Sequence, residues 1–169
     1  MDLIFSKCDE NNFHDFYILK CDEGNIYWTG HKNAPAKEKL KRWYLDQLTR
    51  DDRIMFIVKS DEYCDEPIGY LYLDITGSDK DVIETGHGVN SKFKGAGIGT
   101  RIIKFAIDYT TSNLRFINRI DGWIASVNIG SIKNVLKNGY SESNETKKMF
   151  FEGFNKDVIM RKYFYTIVR

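Results

Sequence analysis

Apolar and polar positions change period along this chain, and each change marks an element. Residues 2–7 form a short strand-like run, and 11–21 mix apolar and polar residues without a clean period and are read as a helix. Pro35 can open a helix at its first turn, and Leu40, Trp43, Tyr44 and Leu48 then recur at helical spacing. This predicts an amphipathic helix over 36–49 with Trp43 in ordinary core packing. From Arg53 the period shortens: IMFIVKS, IGYLYLDIT and VIETGHGV are rich in β-branched and aromatic residues and are parted by acidic, Pro or Gly-Ser turns, which predicts three successive antiparallel strands. Helical spacing returns at Ile98, Ile102, Phe105, Ala106 and Tyr109, for a helix ending near Asn113. A strand over 119–127 follows, then a helix opened by Asn128 whose expected buried stripe is Ile129, Ile132, Val135 and Leu136, with Gly139 placed to stop it. Strand character returns around 148–151 and 158–168, with Gly153 and Asn155 between. The order β-α-α-β-β-β-α-β-α-β-β predicts a mixed α/β (α+β) fold, a mainly antiparallel central sheet flanked by helices.

At 169 residues the chain is expected to form one domain over 1–169, enough to bury roughly two-thirds of its unfolded surface. Lys plus Arg (25) and Asp plus Glu (24) nearly cancel, so no global field favours nucleic acid or an acidic membrane, and partner choice is local. Lys147-Lys148 and residues 37–42 are read as solvated faces. Cys8, Cys21 and Cys64 are widely spaced, odd in number and without metal-ligand spacing, so they read as reduced thiols of a cytoplasmic protein that needs no metal. No stretch approaches the ~18 apolar residues of a membrane span. Oligomeric state, monomer or homodimer, is left open by the sequence.

The densest chemical signal is VNSKFKGAGIGT, residues 89–100, which puts three alternate glycines between a predicted strand and a predicted helix. Glycine lets the backbone turn with positive φ and approach a ligand, while the helix start offers unpaired N–H groups and a positive dipole end. The pattern predicts an anion site built from main chain. Neither a Walker loop nor a dinucleotide fingerprint fits, because Gly95-Ala96-Gly97-Ile98-Gly99-Thr100 has neither GxxxxGK[ST] nor GxGxxG spacing.

The string Lys94-Gly95-Ala96-Gly97-Ile98-Gly99 resembles the (Gln/Arg)-x-x-G-x-(Gly/Ala) loop of the GNAT superfamily of N-acetyltransferases, which cradles the pyrophosphate of acetyl-coenzyme A; Lys94 departs from the usual Gln or Arg. VNIGSIKNVLKNGY over 127–140 is similar to the second motif of that family, and DVIMRK over 157–162 to a less specific run on its last strand. The resemblance covers most of the chain. It implies the GNAT acyl-CoA N-acyltransferase fold, acetyl-CoA as cosubstrate, and contacts to it from Val89, Asn90, Lys94, Gly95, Ala96, Gly97, Ile98, Gly99, Thr100, Asn128 and Ser131. Asn128 is also a good helix N-cap on its own account, and one residue can serve both ends.

The resemblance further implies transfer of the acetyl group to a primary amine, preferably of a small molecule, by direct attack on the thioester. A protein N-terminus or lysine as acceptor, and a non-catalytic acyl-CoA sensor, stand as alternatives. An alkylammonium has no lone pair, so a base or water chain must take a proton. By resemblance, the strand before the loop splays from its neighbour, and the backbone N–H near Val89 polarises the thioester carbonyl. Gly86 and Gly88 fit that strand, since glycine there often marks a bulge or close backbone approach. Side-chain alternation puts His87 with Val89 on one face and Glu84 on the other, so both cannot face one cleft without a bulge. His87 is the favoured base and Glu84 the fallback. Many relatives carry an acidic Tyr where this chain has Val135, leaving Ser131, Tyr140 or water to protonate the thiolate. Acceptor choice is expected to lie in residues 24–50 and in the turn between the last two strands, with Tyr27, Trp28 and His31 as possible lining.

Overall fold

The computed structural model describes residues 1–63 and 66–169, so Cys64 lies outside the described residues; Cys8 and Cys21 are free thiols. Its strands are β1 (Ile4–Lys7), β2 (Arg53–Lys59), β3 (Gly69–Thr76), β4 (Val82–Val89), β5 (Arg119–Ala125), β6 (Ser141–Phe151) and β7 (Lys156–Thr166). They form one seven-stranded sheet in the order β1-β2-β3-β4-β5-β7-β6, antiparallel except for β4 against β5. The helices are α1 (Phe13–Lys20), α2 (Glu23–Trp28), α3 (Lys37–Leu48), α4 (Ile98–Asn113) and α5 (Ile129–Lys137).

β2 shows why the middle of the sheet reads as a continuous apolar run. Phe56 and Val58 pack with Leu71, Leu73, Ile83 and the Ile98, Ile102 and Ala106 stripe of α4. Met55 and Ile57 face the other way, against Phe13, Phe16 and Leu19 of α1 and Leu40 and Tyr44 of α3. Both faces of β2 are therefore covered, and alternation into water is lost. Among the described residues no helix is long and apolar enough to cross a membrane.

Four details differ from the sequence reading. α2 was not foreseen: Asp22 caps it by accepting from the Asn25 amide at 3.1 Å, but Gly24 and Asn25 are weak helix formers that hide it. β6 begins at Ser141 rather than near 148, because an edge strand paired only with β7 can be polar on both faces. Trp43 is 38% exposed, stacked on Phe16 with the Arg53 guanidinium over its ring, and is not a core residue. On α5 only Val135 is buried, with Ile132 partly covered, while Ile129 and Leu136 are exposed. At about 100° per residue those two lie some 100–120° round the helix from Val135, beyond the strip that packs on α4.

Candidate active site

β4 and β5 part after Glu84 and Asp121. Their parallel pairing covers only Val82–Arg119, Ile83–Ile120 and Glu84–Asp121, while β3 follows β4 to Val89 and β7 follows β5 to Ala125. A wedge opens between the two strands. The Asn90 amide donates to the Ile68 carbonyl at 2.8 Å on the β3 side, so strand alternation turns the N–H groups of Val89 and His87 toward the wedge. The register of β3 against β4 is unbroken, and Gly88 is explained by close approach: a Cβ there would lie 2.4 Å from Tyr70 Cε1 and 2.5 Å from Asn25 Oδ1.

At the mouth of the wedge, Gly95 (φ +81°) and Gly97 (φ +74°) adopt the left-handed conformation, and a Cβ on either would meet nothing within 4 Å. Gly97 is the N-cap of α4 and offers no side-chain cap, so the first-turn amides of α4 are left for a ligand or water. Gly99 is glycine for a different reason, since its Cβ would stand 2.5 Å from Asn134 Nδ2. Asn134 also accepts the Thr100 hydroxyl at 2.9 Å, and Asn138 Nδ2 donates to the Thr100 carbonyl at 3.0 Å, which locks α5 onto the start of α4.

A cavity of about 790 Å³ runs from this loop through the wedge to the face of the sheet covered by α1 and α2. Of the residues named from sequence, His87, Val89, Lys94, Gly95, Gly97, Ile98, Gly99, Asn128 and Ser131 border it; Glu84, Asn90, Ala96 and Thr100 do not. Asn90 is buried and spends its side chain locally, donating to the Pro67 carbonyl and accepting from the Lys92 amide. Asn128 caps α5, its Oδ1 accepting from the Ser131 amide at 3.1 Å, and still borders the cavity. Glu84 lies abreast of Asp74 and Asp121 in neighbouring strands.

His87 shares its face of β4 with the buried Ile83, under the start of α4, and its Nε2 would be 3.8 Å from a Cβ on Gly99. Burial lowers its pKa from 6.5 to about 4, so the imidazole is neutral at pH 7. Val135 borders the cavity and brings no proton. Tyr140 is buried outside it, and burial pushes its hydroxyl far above the ordinary tyrosine range. On the far side Trp28 lines the cavity, whereas Tyr27 is half exposed and packs on Phe154, and His31 is exposed. Lys20, Asn25, Tyr70 and Tyr72 complete that wall and were not singled out from sequence. The alternation of Tyr70 and Tyr72 in IGYLYLDIT was a usable signal for two of them.

A profile of the acetyltransferase (GNAT) family matches residues 15–140. The chain belongs to the GNAT family. Among curated proteins it is 31% identical over 147 residues to an uncharacterized N-acetyltransferase of Methanocaldococcus jannaschii, covering 84% of this chain and 61% of the relative. It thus spans about three-fifths of that relative's length. Among solved structures, a spermidine N-acetyltransferase from Vibrio cholerae in complex with CoA and spermine superposes with a TM-score of 0.84 at 15% identity, covering 97% of this chain and 95% of that one. An aminoglycoside acetyltransferase in complex with coenzyme A gives a TM-score of 0.77 at 16% identity, over 98% and 95% of the two chains. The GNAT fold expected from the glycine loop is the fold observed.

Proposed function

We propose that this GNAT protein transfers the acetyl group of acetyl-CoA to a primary amine of a small-molecule acceptor. The observation that carries the reading is the wedge: it joins an uncapped helix start on one side of the sheet to a walled cavity on the other. Two proteins of the same fold, named as CoA complexes, support coenzyme A as the donor. The residues present fit it, because Gly95 and Gly97 leave open space in front of the α4 amides that a diphosphate can fill.

In this reading the amides of Ile98, Gly99 and Thr100 hold the diphosphate with Lys94 beside them, and Asn128 borders the path of the pantetheine arm. Bound acetyl-CoA supplies an activated acyl carbon on a good leaving group. The Val89 N–H, pointing into the wedge, stabilises negative charge on the thioester oxygen. The acceptor reacts as its free amine, the ammonium proton having gone to bulk water; the lone pair then forms the N–C bond, the C–S bond breaks with its electrons going to sulfur, and a second proton from nitrogen must reach water or the thiolate.

His87 takes that proton through water. A neutral imidazole of low basicity suits a nitrogen whose lone pair is already committed to the new bond, because its N–H is then far more acidic than that of a free alkylammonium. Ser131, whose residue borders the cavity with Asn128, supplies a hydroxyl for the thiolate, with Val135 unable to serve. The test is release of free CoA thiol from purified protein, acetyl-CoA and a panel of amines. Saturable turnover supports the enzyme; saturable binding with no turnover supports a sensor; turnover confined to peptides points to a protein acceptor.

A further inference from the structure

The far half of the cavity holds a cation that, among the described residues, is in contact with no carboxylate. Lys20, in the last turn of α1, borders the cavity with its ammonium 5.2 Å from the centroid of the Tyr70 ring. Among the described residues it has no hydrogen bond or ion pair to a carboxylate, and no Asp or Glu borders the cavity at all. Asp22, two residues on, spends its oxygens on the Ser91 amide and hydroxyl and the Asn25 amide. Burial lowers the pKa of Lys20. A desolvated ammonium facing a cavity is retained against its hydration, and one aromatic face recovers only part of that cost.

Asn25 stands on the other flank of the same tyrosine. It is 8% exposed and donates Nδ2 to the Leu19 carbonyl at 2.9 Å, which fixes the amide with Oδ1 against Gly88. The point 2.5 Å from Asn25 Oδ1 and 2.4 Å from Tyr70 Cε1 is the same one, the absent Cβ of Gly88. A fixed carbonyl oxygen therefore sits beside the β4 segment whose amides face the wedge, with an unpaired ammonium beyond it. The first accepts from an amine N–H, and the second takes a carboxylate or phosphate-type oxygen.

We infer that the acceptor of this enzyme carries an oxyanion as well as its amine, with Lys20 binding the anion and Asn25 orienting the nitrogen. The inference rests on the N-acetyltransferase reading and narrows its substrate class. Polyamines and aminoglycosides bring several positive charges and call for acidic walls, whereas the far half of this cavity presents Lys20 and, among the described residues, is lined by no carboxylate.

The experiment compares CoA release for matched acceptors: α- and ω-amino acids against the same amines lacking the carboxylate, aminoalkylphosphonates against alkylamines, and polyamines and aminoglycosides alongside. The expected result is at least a tenfold higher kcat/KM for an anion-bearing member over its uncharged-tail partner, the two series telling carboxylate from phosphonate. Lys20→Met should reduce that preference at least tenfold through acceptor KM, with the KM for acetyl-CoA within twofold of wild type, and Lys20→Arg should restore most of it. The unchanged acetyl-CoA KM also certifies the fold of the variant. Equal rates within pairs, a preference for polyamines, or a Lys20→Met effect on acetyl-CoA instead of the acceptor would overturn the inference while leaving the N-acetyltransferase reading standing. Absence of acetyl-CoA binding by the wild type contradicts both.

Discussion

The carboxylate of Asp22 accepts both the backbone N–H and the hydroxyl of Ser91, each at 2.9 Å, across 69 residues of chain. It also caps α2 through the Asn25 amide. One side chain therefore ties the helix that lines the far wall of the cavity to the turn that leads into the glycine loop. Asp22→Ala removes a cap, worth about 1 kcal/mol, and strands the Ser91 amide at a further ~1–3 kcal/mol. The expected outcome is a Tm lower by about 4–16 °C, at the ~2–4 °C per kcal/mol typical of this size, with KM raised for both substrates. Calorimetry and initial rates check it; a change in one KM alone would separate the two walls.

The three loop glycines should fail in different ways. Alanine at Gly95 or Gly97 meets open space but must hold a left-handed φ, costing about 1–2 kcal/mol, so acetyl-CoA affinity should fall roughly tenfold. Gly99→Ala pushes a methyl onto Asn134 Nδ2, and its loss should be partly relieved by Asn134→Ala in the double variant. Titration of acetyl-CoA by calorimetry reads both. Additive Gly99 and Asn134 effects would contradict the contact.

His87 binds its proton at about pH 4 when folded and near 6.5 when unfolded, because burial disfavours the imidazolium. Between those values only the unfolded chain is protonated, so this contribution to stability is complete above pH 6.5 and is lost as pH falls toward 4. Urea unfolding from pH 7 to 4.5 should show that loss in the wild type and less of it in His87→Gln. In kcat/KM, His87 should give no limb near pH 6.5, only a fall below about pH 5; a limb at 6.5 that vanishes in His87→Gln would contradict its burial.

Ser131→Ala keeps the amide that Asn128 caps and removes only the hydroxyl on the cavity wall. A role in protonating the thiolate predicts kcat reduced by about 10²-fold or more, with Tm unmoved. An unchanged kcat would leave water as the proton donor.

The loop and both helices beside it were legible because their chemistry is local: glycines, caps and apolar periodicity lie within a few residues of one another. Of the far wall only Trp28 was legible. Lys20, Asn25 and Tyr70 come from α1, α2 and β3, and only the packing of those elements makes them neighbours. Side-chain partners that are distant in sequence were equally hidden: the Asn90 side-chain amide donates to the Pro67 carbonyl and the Thr100 hydroxyl to Asn134, which leaves only their main chain for a ligand. The exposed Ile129 and Leu136 show the limit of periodicity, which marks an apolar arc without saying how much of it a neighbour covers.

The most direct measurement of the central claim is hydrogen–deuterium exchange over residues 94–100 with and without acetyl-CoA. If the uncapped amides at the start of α4 grip the diphosphate, saturating acetyl-CoA will slow their exchange at least tenfold and raise the Tm. Unchanged exchange there, with the Tm unmoved, would contradict the account.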